Sequence, residues 1–459
     1  MHSIIPITPA GKDGVRGETS GAMDAFPQWI IILIVVIASA RIAALLARRF
    51  GLPSISIQLL IGILLGPSLF NLLGVPMVLG TWGSPSPGPL HGALKILAEI
   101  GLIQLMFLAG LEVDWRELKK IIKLSFSVGG WEFGLTAVSV SILTRLFVDR
   151  WTEALAMSAI VSASSFGISI YYLSEIKLLR SRVAALISGA AISSGLLAIP
   201  LMIASQATNY GATYGAFKMT IAVSWFFAKL IMFFAVAYFL TSRFLKLSAK
   251  SGFQKRPRQM LIGYLLLVAS LYAWASMHFG SFAAVGAASL GGALIGMSDF
   301  GLKEKVSKGL GSKWGSLPMG VLFVVLGMEA NFKEVESYPF FLIVVFVVVL
   351  IAKLVGSWIA ARRSFDSFNE RALIMTGILP QGEMGVLIAA YLFSRGVVNP
   401  SQFNGAIIVV VTLTMLAPFL LKVASAELTN RDFGKGGETT SENWCQRTDD
   451  HPGKRVWRI

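Results

Sequence analysis

Three charged side chains limit the chemistry open to this chain. Lys353 lies in PFFLIVVFVVVLIAKLVGSWIAA (residues 339–361), Glu132 in KLSFSVGGWEFGLTAVSVSIL (123–143) and Glu383 in GILPQGEMGVLIAA (377–390). Each is surrounded by apolar residues over a stretch long enough to cross a bilayer. A charge at that depth costs about 2.5–3.5 kcal/mol on insertion scales, and it is tolerated when it faces an ion path, a protein interior or an opposite charge. Lys353 can act as a proton-coupled amine or as a fixed counter-charge. Glu132 can compensate Lys353, titrate in its own right, or serve as a hydrogen-bonded structural carboxyl. Glu383, beside Pro380 and among Gly377, Gly382 and Gly385, can neutralise converging helix ends or titrate. The hydroxyls of Ser162, Ser164, Ser165, Ser193 and Ser194 can line a cation path, or simply let helices pack closely. No His/Glu metal motif, nucleophile pair or cofactor loop occurs in the apolar segments. An amine, two carboxylates and hydroxyls beside a Pro/Gly break suit ion movement better than soluble enzyme chemistry.

The elements that position these groups are membrane helices. Of the chain, 55% is hydrophobic and only 14% charged, where soluble domains carry about 25% charged residues. Apolar stretches of about 18 residues or more mark about thirteen spans. They lie near 28–47, 54–73, 92–111, 121–147, 152–173, 182–205, 217–242, 259–278, 281–298, 315–332, 339–361, 371–394 and 403–424. The fold class expected is an all-α polytopic membrane protein. The net charge of +15 does not signal a nucleic-acid partner. The basic residues cluster in short loops between apolar runs, which is a topology signal. Cys445 is the only cysteine, so one chain can form no disulfide.

Alternate loops are basic. Arg48 and Arg49, then Arg116, Lys119, Lys120 and Lys123, then Lys177, Arg180 and Arg182 begin a series that continues to Arg362, Arg363 and Arg371. The intervening loops hold almost no Lys or Arg, and the stretch 74–91 holds none. The positive-inside rule then places the N-terminus outside and the C-terminus in the cytoplasm, in a cell (inner) membrane. The domain reading is a disordered external segment over 1–27, a transmembrane domain over 28–424 and a disordered cytoplasmic tail over 425–459. The N-terminus shows no cleavable signal peptide.

Helix breakers repeat at matching positions. The fifth span carries SASSFG (162–167) and the twelfth GILPQGEMG (377–385); the sixth contains Pro200 and the thirteenth Pro418. The fourth to sixth spans thus mirror the eleventh to thirteenth with opposite entry sides. Interrupted helices in inverted repeats point to a binding site near the membrane midplane. The same mirror puts Glu132 and Lys353 at comparable depth.

Five stretches resemble one family, the monovalent cation:proton antiporters of the second group, with Na⁺/H⁺ exchanger-like membrane domains. They are PSISIQLLIGILLGPSLF (53–70), LAEIGLIQLMFLAGLEVD (97–114), SFAAVGAASLGGALIGMS (281–298), LPMGVLFVVLGMEANF (317–332), and AKLVGSWIAA through GILPQGEMGVLIAA (352–390). The resemblance implies a homodimer, a core with a crossed pair of broken helices, and monovalent cations and protons as the transported species. It also implies no cofactor. Lys353 matches the family's membrane lysine and Glu383 its Gly-Glu position, while Gln381 stands where many members have arginine. One departure concerns the sixth span. The family usually places an acidic residue there, but this chain reads GAAISSGLLAIP (189–200), with Ser194 or Gly195 at that position.

Two expectations follow. The first is a secondary active antiporter exchanging Na⁺ or K⁺ for protons by alternating access, with Lys353, Glu132, Glu383, Ser193, Ser194, Ser164, Ser165 and Gln381 on the ion and proton path. The second, motivated by the missing carboxylate, is a transport-dead or channel-like homologue that senses or scaffolds. Lys229, mid-span in the seventh helix, has no assigned role.

Overall fold

The structure, a computed structural model, describes residues 18–71, 89–209 apart from 177 and 180, 283–297, 315–335 and 338–433 apart from 366, with isolated positions between 220 and 310. The described residues form α1 (Glu18–Phe50), α2 (Ser54–Leu65), α3 (Pro89–Glu112), α4 (Trp115–Lys120), α5 (Ile122–Phe147), α6 (Trp151–Ser162), α7 (Phe166–Glu175) and α8 (Arg182–Asn209). They continue with α9 (Ala283–Gly296), α10 (Leu317–Met328), α11 (Pro339–Ala361), α12 (Phe368–Gly377), α13 (Gly382–Ser394) and α14 (Pro400–Phe433). Eight helical stretches among the described residues are long and apolar enough to cross a membrane, and α2 and α10 are shorter apolar helices. Within the span expected at 217–242 the described positions, 14 of 26, are all helical, whereas of 259–278 only Leu266 is described.

Three boundaries differ from the sequence expectation. Helix α1 begins at Glu18 and α14 runs to Phe433, past both ends of the expected 28–424 membrane domain. Residues 1–17 and 434–459 lie outside the described set. Helix α2 stops at Leu65 because Gly66–Pro67 follows; proline cannot continue the hydrogen-bond ladder and disfavours helix at the residue before it. The apolar run continues to residue 73, which hydropathy alone reads as more helix.

The helices sort into two groups. Helices α1, α2, α3, α9 and α10 pack among themselves, and α5 to α8 pack with α11 to α14; α3 against α7 and α2 against α14 join the two. The surface is inverted relative to a soluble protein. Ile31, Leu45, Ile142, Phe340 and Ile343 all face outward, while Glu132 and Lys353 are inside. This is the arrangement a lipid solvent selects, since apolar side chains gain nothing by leaving hydrocarbon and charges must turn inward.

The second group contains both broken spans. The fifth unwinds between α6 and α7 at residues 163–165, and the twelfth between α12 and α13 at residues 378–381. Pro200 and Pro418 sit inside the helices that follow each break, α8 and α14. The expected mirror of α5–α8 with α11–α14 is therefore visible element by element.

Candidate functional site

The two breaks cross, and the unwound segments hydrogen-bond to one another. The Ser165 N–H donates to the Pro380 carbonyl at 2.7 Å, and the Ser169 hydroxyl donates to the Gly377 carbonyl at 2.8 Å. Each break has a local cause. The serine run offers hydroxyls that compete with the helical ladder, and Pro380 lacks an N–H. Gly382 takes a left-handed φ of +30°, and a Cβ there would lie 2.0 Å from the Ile168 side chain. Glycine allows both the turn and the close approach.

A helix interrupted within a bilayer exposes carbonyls at one end and N–H groups at the other, with partial charges to match. Here side chains of the opposite sign meet each end. Where α6 ends, the Ser162 carbonyl accepts from Lys353 Nζ at 3.0 Å and from the Ser194 hydroxyl at 3.2 Å. The Val161 carbonyl accepts from Gln381 Nε2. Where α7 begins, Glu383 Oε1 accepts from the Gly167 N–H at 3.0 Å and Oε2 accepts from the Ser165 hydroxyl. Glu383 also lies in the first turn of α13, so one carboxylate faces two positive helix ends. Thr414 of α14 closes the second break; its hydroxyl accepts from the N–H groups of Gly382 at 2.9 Å and Gln381 at 3.3 Å.

The central contact is an ion pair. Lys353 Nζ of α11 donates to Glu132 Oε1 of α5, and the two side chains are 1% and 0% exposed. Ser164, in the unwound segment, touches both: its hydroxyl donates to Glu132 Oε1 at 3.0 Å and lies 2.8 Å from Lys353 Nζ. Ser194, which donates to the Ser162 carbonyl, also lies beside this carboxylate. Gly356, one turn beyond Lys353, lets the helices come this close. A Cβ there would lie 2.7 Å from both the Glu132 Cα and the Trp131 carbonyl oxygen. Ser164 also lines an apolar cavity of about 470 Å³ between the two helix groups, walled by Met106, Phe166, Ile192, Gly286 and Met384. A second cavity, of about 620 Å³, lies between the groups at the end of the bundle where α1 finishes, and Arg41, Arg48, Glu112 and Glu175 reach into it.

The structure thus brings Glu132, Lys353, Ser164 and Ser194 to one point, with Ser165, Glu383 and Gln381 at the neighbouring crossing. It does not bring Ser193 there. The Ser193 hydroxyl donates to the Ala190 carbonyl at 2.9 Å and to that of Ser125 at 3.3 Å, which ties α8 to α5. Lys229 is exposed, its ammonium 5.5 Å from the Trp225 ring centre, away from the site. Sequence reasoning missed Thr414, whose only signal is a hydroxyl one turn before Pro418 in an apolar helix. Helix α8 carries no carboxylate along its whole length.

The family model described as sodium/hydrogen exchanger, transmembrane, matches residues 34–425. The probable Na(+)/H(+) antiporter GerT of Bacillus cereus is 24% identical over 390 residues, covering 85% of this chain and 97% of that protein. The Na(+)/H(+)-K(+) antiporter GerN of the same organism is 25% identical, covering 85% of this chain and 94% of its own length. Among solved structures, the sodium proton antiporter MjNhaP1 from Methanocaldococcus jannaschii superposes with a TM-score of 0.62 at 18% identity, over 88% of this chain and 97% of that one. At that identity the likeness concerns the fold.

Proposed function

Because this chain belongs to the sodium/hydrogen exchanger transmembrane family, we propose that it is a secondary active antiporter exchanging a monovalent cation, Na⁺ or K⁺, for protons by alternating access. The observation that carries this reading is the buried Glu132–Lys353 pair beside the crossed breaks. The names of its relatives, a probable Na(+)/H(+) antiporter and a Na(+)/H(+)-K(+) antiporter, agree with it.

Charge balance explains how the site couples two ions. Glu132, the Ser164 and Ser194 hydroxyls and the Ser162 carbonyl are oxygens gathered around one point. Hard monovalent cations take such oxygen donors. The pair is neutral as it stands. A cation arriving beside it adds a charge that the low-dielectric interior penalises heavily. Release of one proton, from the Lys353 ammonium or from a protonated Glu132, restores neutrality. Glu132 then takes the place of the carboxylate that α8 lacks, and Glu383 and Gln381 hold the crossing together by matching helix ends.

Reconstitution into liposomes with an internal pH dye tests the reading. Adding Na⁺ or K⁺ outside should drive a proton flux that an equal concentration of choline does not. A flat trace with every alkali cation, from correctly inserted protein, would support the transport-dead alternative.

The loop charges support a cell-membrane location with the N-terminus outside, and the family resemblance supports a homodimer. A reporter fused after residue 430 should read cytoplasmic, and one at residue 2 external. The reverse at either end would overturn this orientation.

A further inference from the structure

The two cavities between the helix groups differ in chemistry. The one at the α1 end carries Arg41, Arg48, Glu112 and Glu175 on its walls. In the one beside Ser164, of about 470 Å³, the only side-chain oxygens among the described lining residues are the hydroxyls of Ser164 and Ser289. Both are engaged: Ser164 donates to Glu132 Oε1 at 3.0 Å, and Ser289 Oγ lies 3.7 Å from the Met106 sulfur. Trp115, Phe166 and Phe227 supply three rings, Met106 and Met384 two thioethers, and the rest of the wall is aliphatic or glycine. The Trp115 N–H is spent on the Gly110 carbonyl at 2.9 Å.

An alkali ion does not account for this lining. Stripped of water it needs several oxygens around it, and a bare charge against hydrocarbon is costly. Yet the cavity adjoins a carboxylate with spare capacity. Glu132 Oε1 accepts from Lys353 and Ser164, whereas Glu132 Oε2 is buried with no hydrogen-bond partner. Negative charge one hydroxyl away from an apolar, ring-bearing wall suits a cation that carries an apolar body. Pockets for small organic molecules are mostly apolar with a few polar groups and hold about 300–1,000 Å³. Aromatic rings attract substituted ammonium groups, and methionines adapt to the shape of the occupant. Both helix groups supply walls, Met106 and Leu290 from the first and Phe166, Leu196 and Met384 from the second. The cavity therefore changes as the groups move, as a transport site must.

We propose that this cavity receives the apolar body of an organic ammonium ion, its charged head beside Ser164 and Glu132, and that the protein exchanges such ions for protons as well as alkali cations. The exchange rests on the antiport reading; the binding does not. A quaternary head adds one positive charge beside the neutral pair, as an alkali ion does. One proton then leaves, from the Lys353 ammonium or from a protonated Glu132, and no other bond changes. Its charge is spread over methyl groups, so it gives up less hydration on entry. Selectivity lies in the body. Benzyltrimethylammonium fits apolar walls, whereas choline, with the same trimethylammonium head, must bring a hydroxyl among them.

Thermal melts in detergent test the binding. Benzyltrimethylammonium at millimolar concentration should raise the melting temperature of the parent by several degrees, as a ligand of the folded state does. Choline at the same concentration should not. Leu196→Trp and Leu290→Trp each fill the cavity, from opposite walls, and each should lose the rise; two walls are used so that one variant lost to misfolding leaves the other. No rise in the parent, an equal rise with choline, or an undiminished rise in a filled variant that folds would overturn the pocket. An acyl chain resident in the cavity would give the first of these results. Liposomes with an internal pH dye test the exchange. External benzyltrimethylammonium, permanently charged and so unable to carry a proton through lipid, should drive proton flux in the parent. No such flux, where Na⁺ or K⁺ drives one, would overturn the organic exchange. If no cation drives flux, the antiport reading fails, and the melts alone decide the pocket.

Discussion

Lys353→Ala should destabilise the folded protein by about 3–5 kcal/mol, the cost of leaving a buried charge without its partner. The ammonium donates to Glu132 Oε1 and the Ser162 carbonyl and lies against the Ser164 hydroxyl. Its removal strands a fully buried carboxylate and uncaps the end of α6 in one step. Lys229→Ala removes an equal charge from an exposed position that touches Trp225. Thermal melts in detergent should show Lys353→Ala several degrees below the parent and Lys229→Ala near it. The pairing of Glu132→Gln with Lys353→Met separates charge pairing from bulk. Neutral groups of similar volume can replace a buried ion pair without loss, so this double variant should melt close to the parent. A Lys353→Ala protein that melts with the parent would mean that the pair contributes nothing to the fold.

Much of this arrangement is legible in the sequence because its causes are local. SASSFG and GILPQGEMG break helices through hydroxyl competition and a missing N–H, and both breaks occur where those residues stand. The Glu132–Lys353 pairing follows from depth: two lone charges at mirrored positions in two apolar spans have few partners other than each other. What stays illegible is rotation about a helix axis. Ser193 and Ser194 are adjacent in sequence, yet about 100° of helical turn sends one to Ser125 and the other to the α6 carbonyl end. Hydropathy also cannot see that Gly66–Pro67 stops α2, or that the polar residues after Glu18 still join α1. Gln381 reaching the Val161 carbonyl depends on how the breaks cross, which no single segment encodes.

Glu132→Gln should abolish cation-dependent proton movement; it leaves the buried Lys353 without its partner and so lowers the melting temperature as Lys353→Ala does, and the flux is read from protein recovered folded and inserted. The substitution keeps the shape of the side chain and an acceptor oxygen for Ser164, but it removes the negative charge that holds Lys353 and would hold a cation. With the carboxylate gone, a cation entering the site has no counter-charge to hold it beside Lys353. Glu383 does not substitute for it, since its two oxygens are committed to Gly167 and Ser165 at the start of α7. Ser194 offers a route back, because its hydroxyl already sits beside the Glu132 carboxylate and the Ser162 carbonyl. Ser194→Asp in the Glu132→Gln background restores one acid on α8 near the same point, and should recover part of the flux.

The measurement that decides the matter is proton flux in liposomes carrying the Glu132→Gln protein, on addition of the cation that drives the parent. No flux above the choline control is expected, with partial recovery in the Ser194→Asp combination. Flux at the parent rate in Glu132→Gln alone would contradict it, and would move the coupling acid to Glu383 or away from carboxylates altogether.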